Sequence, residues 1–226
     1  MPPLYFKNAE MDLFISGYCL IHERKVVVND RLRFYKENFL TFADFIKSLY
    51  KQEQINYPKF YKMDALSKLG FLASELVLRE RMTGDEQKED WGIVLTNSSS
   101  SLDTDIVHQE TITDRTNYFP SPSVFVYTLP NIVIGEVCIK HGIKGENAFL
   151  ITETFDGKLL CDYVSDLMLT NRVKTCLFGW VEILGDNFEA LIGLVENNAA
   201  MKGRTTNDFI IKPFTAEQLN IFLRNT

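Results

Sequence analysis

Histidine is scarce in this sequence, and its placement argues against metal chemistry. The 226 residues include three histidines, His22, His108 and His141. None is followed by a second ligand residue three or four positions later, the spacing that places two metal ligands on one helix face. We therefore predict neither a metal site nor a bound cofactor.

Cysteine is also rare, and it shows no metal-binding spacing. Each of the four cysteines lies in an apolar segment: Cys19, Cys138, Cys161 and Cys176. Isolated cysteines in apolar sequence behave as small hydrophobic side chains. We expect four buried free thiols.

Long apolar runs and an excess of basic residues are both absent. No stretch of 18 apolar residues occurs, and the first eight residues lack a basic-then-apolar signal pattern. The net charge of −6 disfavours nonspecific binding to nucleic acid or to anionic membranes. The sequence thus predicts a cytoplasmic protein with no membrane span and no nucleic-acid partner.

A glycine-rich phosphate loop is missing as well. Residues 97–101 read Asn followed by four serines, which could form an oxyanion or phosphate loop after a strand. No glycine-rich approach, lysine or helix-opening threonine accompanies them, so we favour a simple loop. Residues 102–120 are then predicted as a flexible connection, and connections this long tend to be functional or to cover a partner surface.

The composition suits one large globular domain over residues 1–226. Hydrophobic residues make up 46% of the chain and charged residues 24%. Hydrophobic patterns predict an α/β fold with helices on both faces of a five-stranded mixed sheet. The strands are predicted near residues 12–20, 91–96, 147–152, 175–183 and 188–197.

Residues 121–141 are predicted to form an interrupted helix. Ser121 is suited to cap it, with Pro122 at its first position. Pro130 interrupts it, which predicts either a kink or a restart capped by Thr128. Apolar residues surround the helix axis almost completely, which predicts burial on all sides.

A strand, a tight turn and a helix follow at residues 147–168, a layout that displays one residue at the strand end. The turn, residues 152–157, reads Thr-Glu-Thr-Phe-Asp-Gly and contains no usual activated nucleophile. Cys161 comes one helical turn later, where Asp162 would raise the pKa of its thiol. Lys158, Asp162, Ser165 and Asp166 share one helix face, and burying unpaired carboxylates is costly. That face is expected to meet water or a polar partner, which favours a half-fold complete in itself.

Residues 11–197 resemble the amino-terminal half of the β-ketoacyl synthases, which have a thiolase-like fold. The matching features are ordered along the chain as in that family: Tyr61-Lys62-Met63-Asp64, Trp91-Gly92-Ile93-Val94-Leu95, Pro122-x-x-Phe125, Leu129-Pro130-Asn131, a glycine before the strand at 147–152, and Gly179-Trp180-x-Glu182.

The resemblance implies that the catalytic site is degenerate. The family's turn reads Thr-Ala-Cys-x-Ser-Gly, and its acyl-accepting cysteine falls at Thr154 of this sequence. The two active-site histidines come from a carboxy-terminal half that has no counterpart here. Thr154 is therefore expected to be inactive, and we predict no catalytic residue.

Two functions from different classes follow from the resemblance. The first is a non-catalytic partner in fatty-acid or polyketide-type chain assembly, similar to chain-length-factor subunits, with acyl carrier protein as a further candidate partner. The alternative is an acyltransferase or other acyl-thioester enzyme with a relocated nucleophile.

The resemblance also implies an interface through residues 146–152. In ketosynthases the strand before the turn pairs with its two-fold mate, and this segment has no proline or lysine to protect a sheet edge. We expect an obligate interface on the order of 2,000 Å². The partner is either a second copy or a full-length ketosynthase.

Overall fold

The architecture centres on one mixed sheet. The computed structural model describes residues 13–38, 41–81, 88–116, 118–197 and 211–224. Within these ranges the strands are β1 (Leu13–His22), β2 (Lys25–Val28), β3 (Arg31–Tyr35), β4 (Trp91–Asn97), β5 (Asn147–Ile151), β6 (Thr175–Leu184), β7 (Asn187–Asn197) and β8 (Lys212–Pro213). Their order is β3-β2-β1-β7-β6-β4-β5, and β8 pairs with β1.

Helices lie between β3 and β4, between β4 and β5, between β5 and β6, and after β8. They are α1 (Phe42–Gln52), α2 (Ala65–Arg81), α3 (Leu102–Thr113), α4 (Pro122–Phe125), α5 (Ile132–His141), α6 (Gly157–Leu169) and α7 (Ala216–Arg224). Short 3₁₀ turns cover Pro58–Lys62 and Val126–Thr128. Side chains cap two helix starts: Thr41 accepts a hydrogen bond from the N–H of Asp44, and Ser121, as predicted, accepts one from the N–H of Val124.

The predicted α/β class and all five predicted strands are confirmed. The pairing of β4 with β5 and with β6 is parallel, and every other pairing is antiparallel. The sheet is wider than predicted, because β2, β3 and β8 join it. β2 and β3 form a hairpin, with Asn29 and Asp30 at positive φ in its tight turn.

Each face of the sheet has its own hydrophobic core. On one face, α1, α2 and α5 pack over apolar side chains such as Leu177 and Val181. On the other face, α6 and α7 cover Phe178 and Val195. Alternate residues of β1, β4, β6 and β7 enter opposite cores, the period-two pattern of strands buried on both sides.

The prediction of a flexible connection over residues 102–120 is wrong for the first part of this segment, which forms α3. Tertiary contacts hold this helix in place. Thr104 donates its hydroxyl hydrogen to Asp64 (2.7 Å), and Asp103 accepts the N–H of Gly185 in the β6–β7 turn (2.9 Å). Long-range polar contacts therefore override weak local helix propensity.

The prediction that residues 121–141 are buried on all sides is also wrong. Val133, Ile134 and Val137 are buried, whereas Phe125, Leu129 and Ile139 are 58–67% exposed. Thr128 does not cap the restart: its hydroxyl donates to the Phe125 carbonyl, and Asn131 precedes α5.

Within the described ranges, no single helix is long and apolar enough to cross a membrane. The helical segments 122–128 and 132–141 are long and apolar enough only when they are taken together, and a bend of 99° separates their axes.

Candidate functional site

The turn after β5 is short and tightly packed. The N–H of Thr152 donates to the carbonyl of Asn97 (2.9 Å), extending the pairing with β4 by one residue. Asp156 begins α6, since its side chain accepts the N–H groups of Lys158 (3.0 Å) and Leu159 (2.9 Å). Gly157 is buried against α7, and a Cβ there would lie 3.0 Å from the side-chain oxygen of Asn220. The chain thus turns sharply from strand to helix, as predicted.

Thr154 lies in this turn and is exposed to solvent. A threonine hydroxyl acts as a nucleophile only when a base lies within hydrogen-bond reach. The three histidines belong to other elements: His22 ends β1, His108 lies in α3, and His141 ends α5, where it contacts Glu75 (3.0 Å).

Cys161 is an inert thiol in this structure. It is buried on the inner face of α6, and burial raises the pKa of its thiol to about 12, with Asp162 adding to the shift. Because the thiolate is the reactive form, the group stays protonated at neutral pH. The predicted rise of the Cys161 pKa through Asp162 has the correct direction, but burial is its larger cause.

The outer face of α6 is polar, as predicted. Lys158, Asp162 and Asp166 are exposed, and Lys158 pairs with Asp162 one helical turn later. The inner face, with Leu160, Val164, Leu167 and Met168, enters the core shared with α7.

A row of polar residues crosses the sheet at the carboxyl ends of its parallel strands. Glu182 of β6 lies opposite Glu189 of β7, which lies opposite His22 of β1. Ser98 and Thr152, which follow β4 and β5, continue the row in register. Sites in open α/β sheets usually form at this edge. The sequence analysis did not predict this row. Its only signal in the sequence is a polar residue at the matching end of each strand.

Hydrogen bonds divide this row into two clusters. Glu182 Oε2 accepts the Ser98 hydroxyl (2.7 Å) and the N–H groups of Ser98 (2.6 Å) and Ser99 (3.2 Å). Glu189 accepts the Trp180 indole N–H (2.8 Å) and lies 3.5 Å from His22 Nδ1.

The serine-rich turn is therefore closed to anions. The N–H groups of Ser98 and Ser99 point at Glu182, and that of Ser100 donates to Asn97 Oδ1 (3.0 Å). A phosphate or an oxyanion would need these same donors, so the structure supports the simple loop over the phosphate loop.

An open cavity of about 520 Å³ lies over the hairpin end of the row. Its lining residues are His22, Glu23, Ser98, Ser99, Glu182, Leu184, Asp186, Asn187, Phe188 and Glu189. Four carboxylates make the cavity acidic, which opposes binding of anionic substrates. In the described part of the chain, no group of three or more histidine, cysteine or carboxylate side chains could hold a metal ion.

Comparisons with known proteins show which fold this chain shares. No protein-family model and no curated protein matches the sequence. Among solved structures, the ishigamide ketosynthase/chain length factor matches with a TM-score of 0.62 and 17% identity, over 84% of this chain and 63% of that chain. The complex of ketosynthase ApeO with its chain length factor ApeC from Xenorhabdus doucetiae matches with a TM-score of 0.55 and 13% identity, over 83% and 79%.

A third similar structure is AntDE:AntF, a type II polyketide synthase acyl-carrier protein in complex with its ketosynthase bound to the hexaketide. It matches with a TM-score of 0.58 and 13% identity, over 85% of this chain and 64% of that chain. The chain thus spans about three fifths of the first of these proteins and of the third. This protein therefore has the thiolase-like fold of ketosynthases and chain length factors, over part of their length.

Proposed function

We infer that this protein is a non-catalytic, chain-length-factor-like partner in fatty-acid or polyketide-type chain assembly. The observation that carries the proposal is the turn after β5, which presents Thr154 where the resembling family presents its cysteine. The nearest thiol along the chain, Cys161, is buried and protonated. Known structures of this fold include ketosynthase and chain-length-factor pairs. The cytoplasmic location predicted from the sequence is part of this proposal.

Purified protein supplied with acyl- and malonyl-carrier protein is expected to form no condensation product. Thr154→Cys is expected to gain none either, because a thiol alone lacks the histidines that activate malonyl decarboxylation. Thr154→Ala should leave any cellular activity of the pathway intact. Mass spectrometry of the products is the measurement, and condensation by the wild-type chain alone would refute the non-catalytic proposal.

A second candidate, an acyl-thioester enzyme with a relocated nucleophile, has one observation in its favour. The exposed Ser98 hydroxyl donates to the Glu182 carboxylate (2.7 Å) beside the open cavity. Against it, the neighbouring N–H groups are occupied by Glu182, so no oxyanion hole forms from them. Incubation with acyl-CoA decides the matter: an acyl adduct that disappears in Ser98→Ala, and persists in Thr154→Ala, would establish this enzyme.

The partner proposal concerns β5, which is an edge of the sheet in the described part of the chain. Glu146 accepts the N–H of Ile93 through its carbonyl, and Thr152 donates its N–H to Asn97. Even-numbered residues of β5 therefore face β4, and the backbone groups of residues 147, 149 and 151 point away from the sheet. These outward groups are the ones that pairing with another chain would satisfy.

Ile151→Pro is expected to abolish association through this edge without unfolding the chain. The substitution removes an outward N–H, and proline is tolerated on edge strands. Leu150→Pro is the matched control, because it removes an N–H that faces β4 and should destabilise the fold by about 1–3 kcal/mol. Light scattering gives the mass of the assembly and urea denaturation the stability. An assembly that survives Ile151→Pro would place its interface elsewhere.

An acyl carrier protein is a further proposed partner. Support comes from the similar AntDE:AntF structure, which contains an acyl-carrier protein and its ketosynthase.

A further inference from the structure

Positive charge is concentrated in one segment of this acidic protein. Residues 25–52, from the start of β2 to the end of α1, contain six lysines and arginines: Lys25, Arg31, Arg33, Lys36, Lys47 and Lys51. The same segment contains three carboxylates, so it carries a net charge of +3 and the rest of the chain carries −9. The net charge of −6 for the whole chain hides this asymmetry.

The carboxylates in and beside this segment leave most of its exposed cations uncompensated. Three of them are held in ion pairs: Asp30 with Lys212 (2.8 Å), Asp44 with Lys36 (2.8 Å), and Glu53 with Arg33 (3.1 Å) and Arg79 (2.6 Å). Four further cations are exposed, and among the described residues their side chains form no ion pair: Lys25, Arg31, Lys47 and Lys51. In the same segment one exposed carboxylate, Glu37, likewise has no ion pair with a described residue.

α1 lies along β3, which is the edge of the sheet opposite β5 in the described part of the chain. Gln52 at the end of α1 donates its side-chain N–H to the Arg33 carbonyl of β3 (3.2 Å). Arg31 of β3 lies opposite Val28, whose side chain enters the core beneath α1, so Arg31 lies on the helix side of the strand. The cations of β3 and of α1 therefore share one side of this edge.

The same edge strand exposes two large apolar side chains on its other side. Leu32 is 64% exposed and Tyr35 is 50% exposed. Leu32 lies opposite Val27 and Tyr35 lies opposite Lys25, and these two β2 residues share a face because they are two positions apart. That face is the one turned away from α1. We define the basic edge by its members: Lys25, Arg31, Leu32, Tyr35, Lys47 and Lys51.

The composition of the basic edge favours a lipid surface over a protein or a nucleic acid. Three of its four cations are lysines, and lysine is depleted in protein–protein interfaces. The pairing of β2 with β3 shifts register between Val26 and Val27, and such a bulge discourages the addition of a further strand. A second copy would place like charges opposite each other. Tyr35 is the one aromatic side chain of the basic edge, whereas single-stranded nucleic acids stack successive bases on several.

Much of the negative charge of the chain lies far from the basic edge. Exposed carboxylates such as Asp162 and Asp166 belong to α6, which packs over β4 and β6. β6 is four strands from β3, about 19 Å at the usual spacing of about 4.8 Å. Charges interact over about 8–10 Å at physiological salt, so these carboxylates are screened from a surface that meets β3.

We propose that the basic edge docks this protein on a bilayer rich in anionic phospholipids. The four cations contact the lipid phosphates, Leu32 enters the boundary of the acyl chains, and Tyr35 lies at the level of the headgroups. Docking of this kind holds a protein on the surface and needs no membrane-spanning helix. It is independent of the proposed function, since it involves neither the turn after β5 nor the β5 edge.

Sedimentation with lipid vesicles tests docking with the full chain. The protein is expected to sediment with phosphatidylcholine vesicles that contain about 30% phosphatidylglycerol, and to stay in solution with vesicles of phosphatidylcholine alone. Raising the salt from about 0.1 M to about 1 M shortens the screening length from about 10 Å to about 3 Å, so binding should weaken at least about tenfold.

Two variants separate the charged from the apolar contribution. Lys47→Glu combined with Lys51→Glu should weaken binding at least about tenfold, because it reverses two of the four cations. Leu32→Ser should weaken binding at least about threefold at unchanged charge, because less apolar area enters the lipid. Circular dichroism confirms that each variant is folded.

The controls make the same changes elsewhere on the surface. Lys144→Glu combined with Lys174→Glu reverses two exposed cations that precede β5 and β6. Leu169→Ser replaces a leucine that is 48% exposed at the end of α6. Both are expected to bind the vesicles within about twofold of the wild type, since neither alters the charges near β3.

Several results would overturn the proposal. Equal binding to both kinds of vesicle, or binding to neither, excludes docking on anionic lipid. A loss in the charge control as large as that in Lys47→Glu with Lys51→Glu would mean that net charge alone acts. Unchanged binding of Leu32→Ser would mean that the edge does not enter the bilayer.

Fluorescence anisotropy tests the two other polyanions, a labelled single-stranded oligonucleotide and purified acyl carrier protein. Neither is expected to bind the basic edge. If one of them binds, if Lys47→Glu with Lys51→Glu abolishes that binding, and if the vesicles are not bound, that molecule is the occupant and the lipid proposal is wrong.

Discussion

Replacing Arg81 with methionine is expected to lower the free energy of unfolding by about 3–5 kcal/mol. Arg81 ends α2 and forms a two-pronged ion pair with Glu196 near the end of β7, with Nε 2.9 Å from Oε2. The two side chains are 4% and 2% exposed. Methionine fills much of the arginine volume, so the main cost is a buried carboxylate without its cationic partner.

A double variant separates this cause from simple loss of packing. Arg81→Met with Glu196→Leu removes both charges and should recover most of the lost stability, because no ion is then left buried. Lys174→Met is the surface control: its pair with Asp90 is largely exposed, and we expect a change of at most about 1 kcal/mol. Urea denaturation measures all three. A double variant as unstable as Arg81→Met would contradict the electrostatic account.

The sequence predicted those parts of the fold that local patterns control. The strands of the sheet are short apolar runs, and the turn after β5 is marked by Asp156 and Gly157, so both could be located without long-range information. The polar face of α6 was likewise readable from the spacing of Lys158, Asp162 and Asp166.

The missed features depend on contacts between distant residues. α3 contains Thr104, Ile106 and Val107, whose branched side chains disfavour helices locally, and its contacts to Asp64 and Gly185 were invisible in sequence. The pairing of Arg81 with Glu196 spans 115 positions.

An apolar residue pattern does not distinguish a buried helix face from an exposed one. Residues of α5 such as Val137 and Ile139 look equivalent in the sequence, yet one is buried and the other is 67% exposed. The burial prediction for residues 121–141 failed for this reason. The candidate site shows the same limit, since Glu182, Glu189 and His22 become neighbours only through the strand order β1-β7-β6.

The carboxy-terminal segment stabilises the sheet face beside the candidate site. β8 pairs with the start of β1, and α7 packs its Leu219 and Phe222 side chains into the core below α6. The Phe222 ring lies 4.2 Å from the Tyr18 ring, and Lys212 Nζ lies 5.1 Å from both. Lys212 also pairs with Asp30 (2.8 Å) on the β2–β3 turn.

Phe222→Ala is expected to lower the free energy of unfolding by about 3–5 kcal/mol, because it empties a ring-sized volume in a closed core. Phe222 is 5% exposed, whereas the neighbouring Ile221 is 40% exposed, so Ile221→Ala is the matched control with an expected loss below about 1 kcal/mol. Both are measured by urea denaturation. Amide hydrogen exchange should also quicken in α6, since α7 packs directly on Gly157 at its start. Equal stability losses for the two variants would mean that α7 does not unfold together with the sheet.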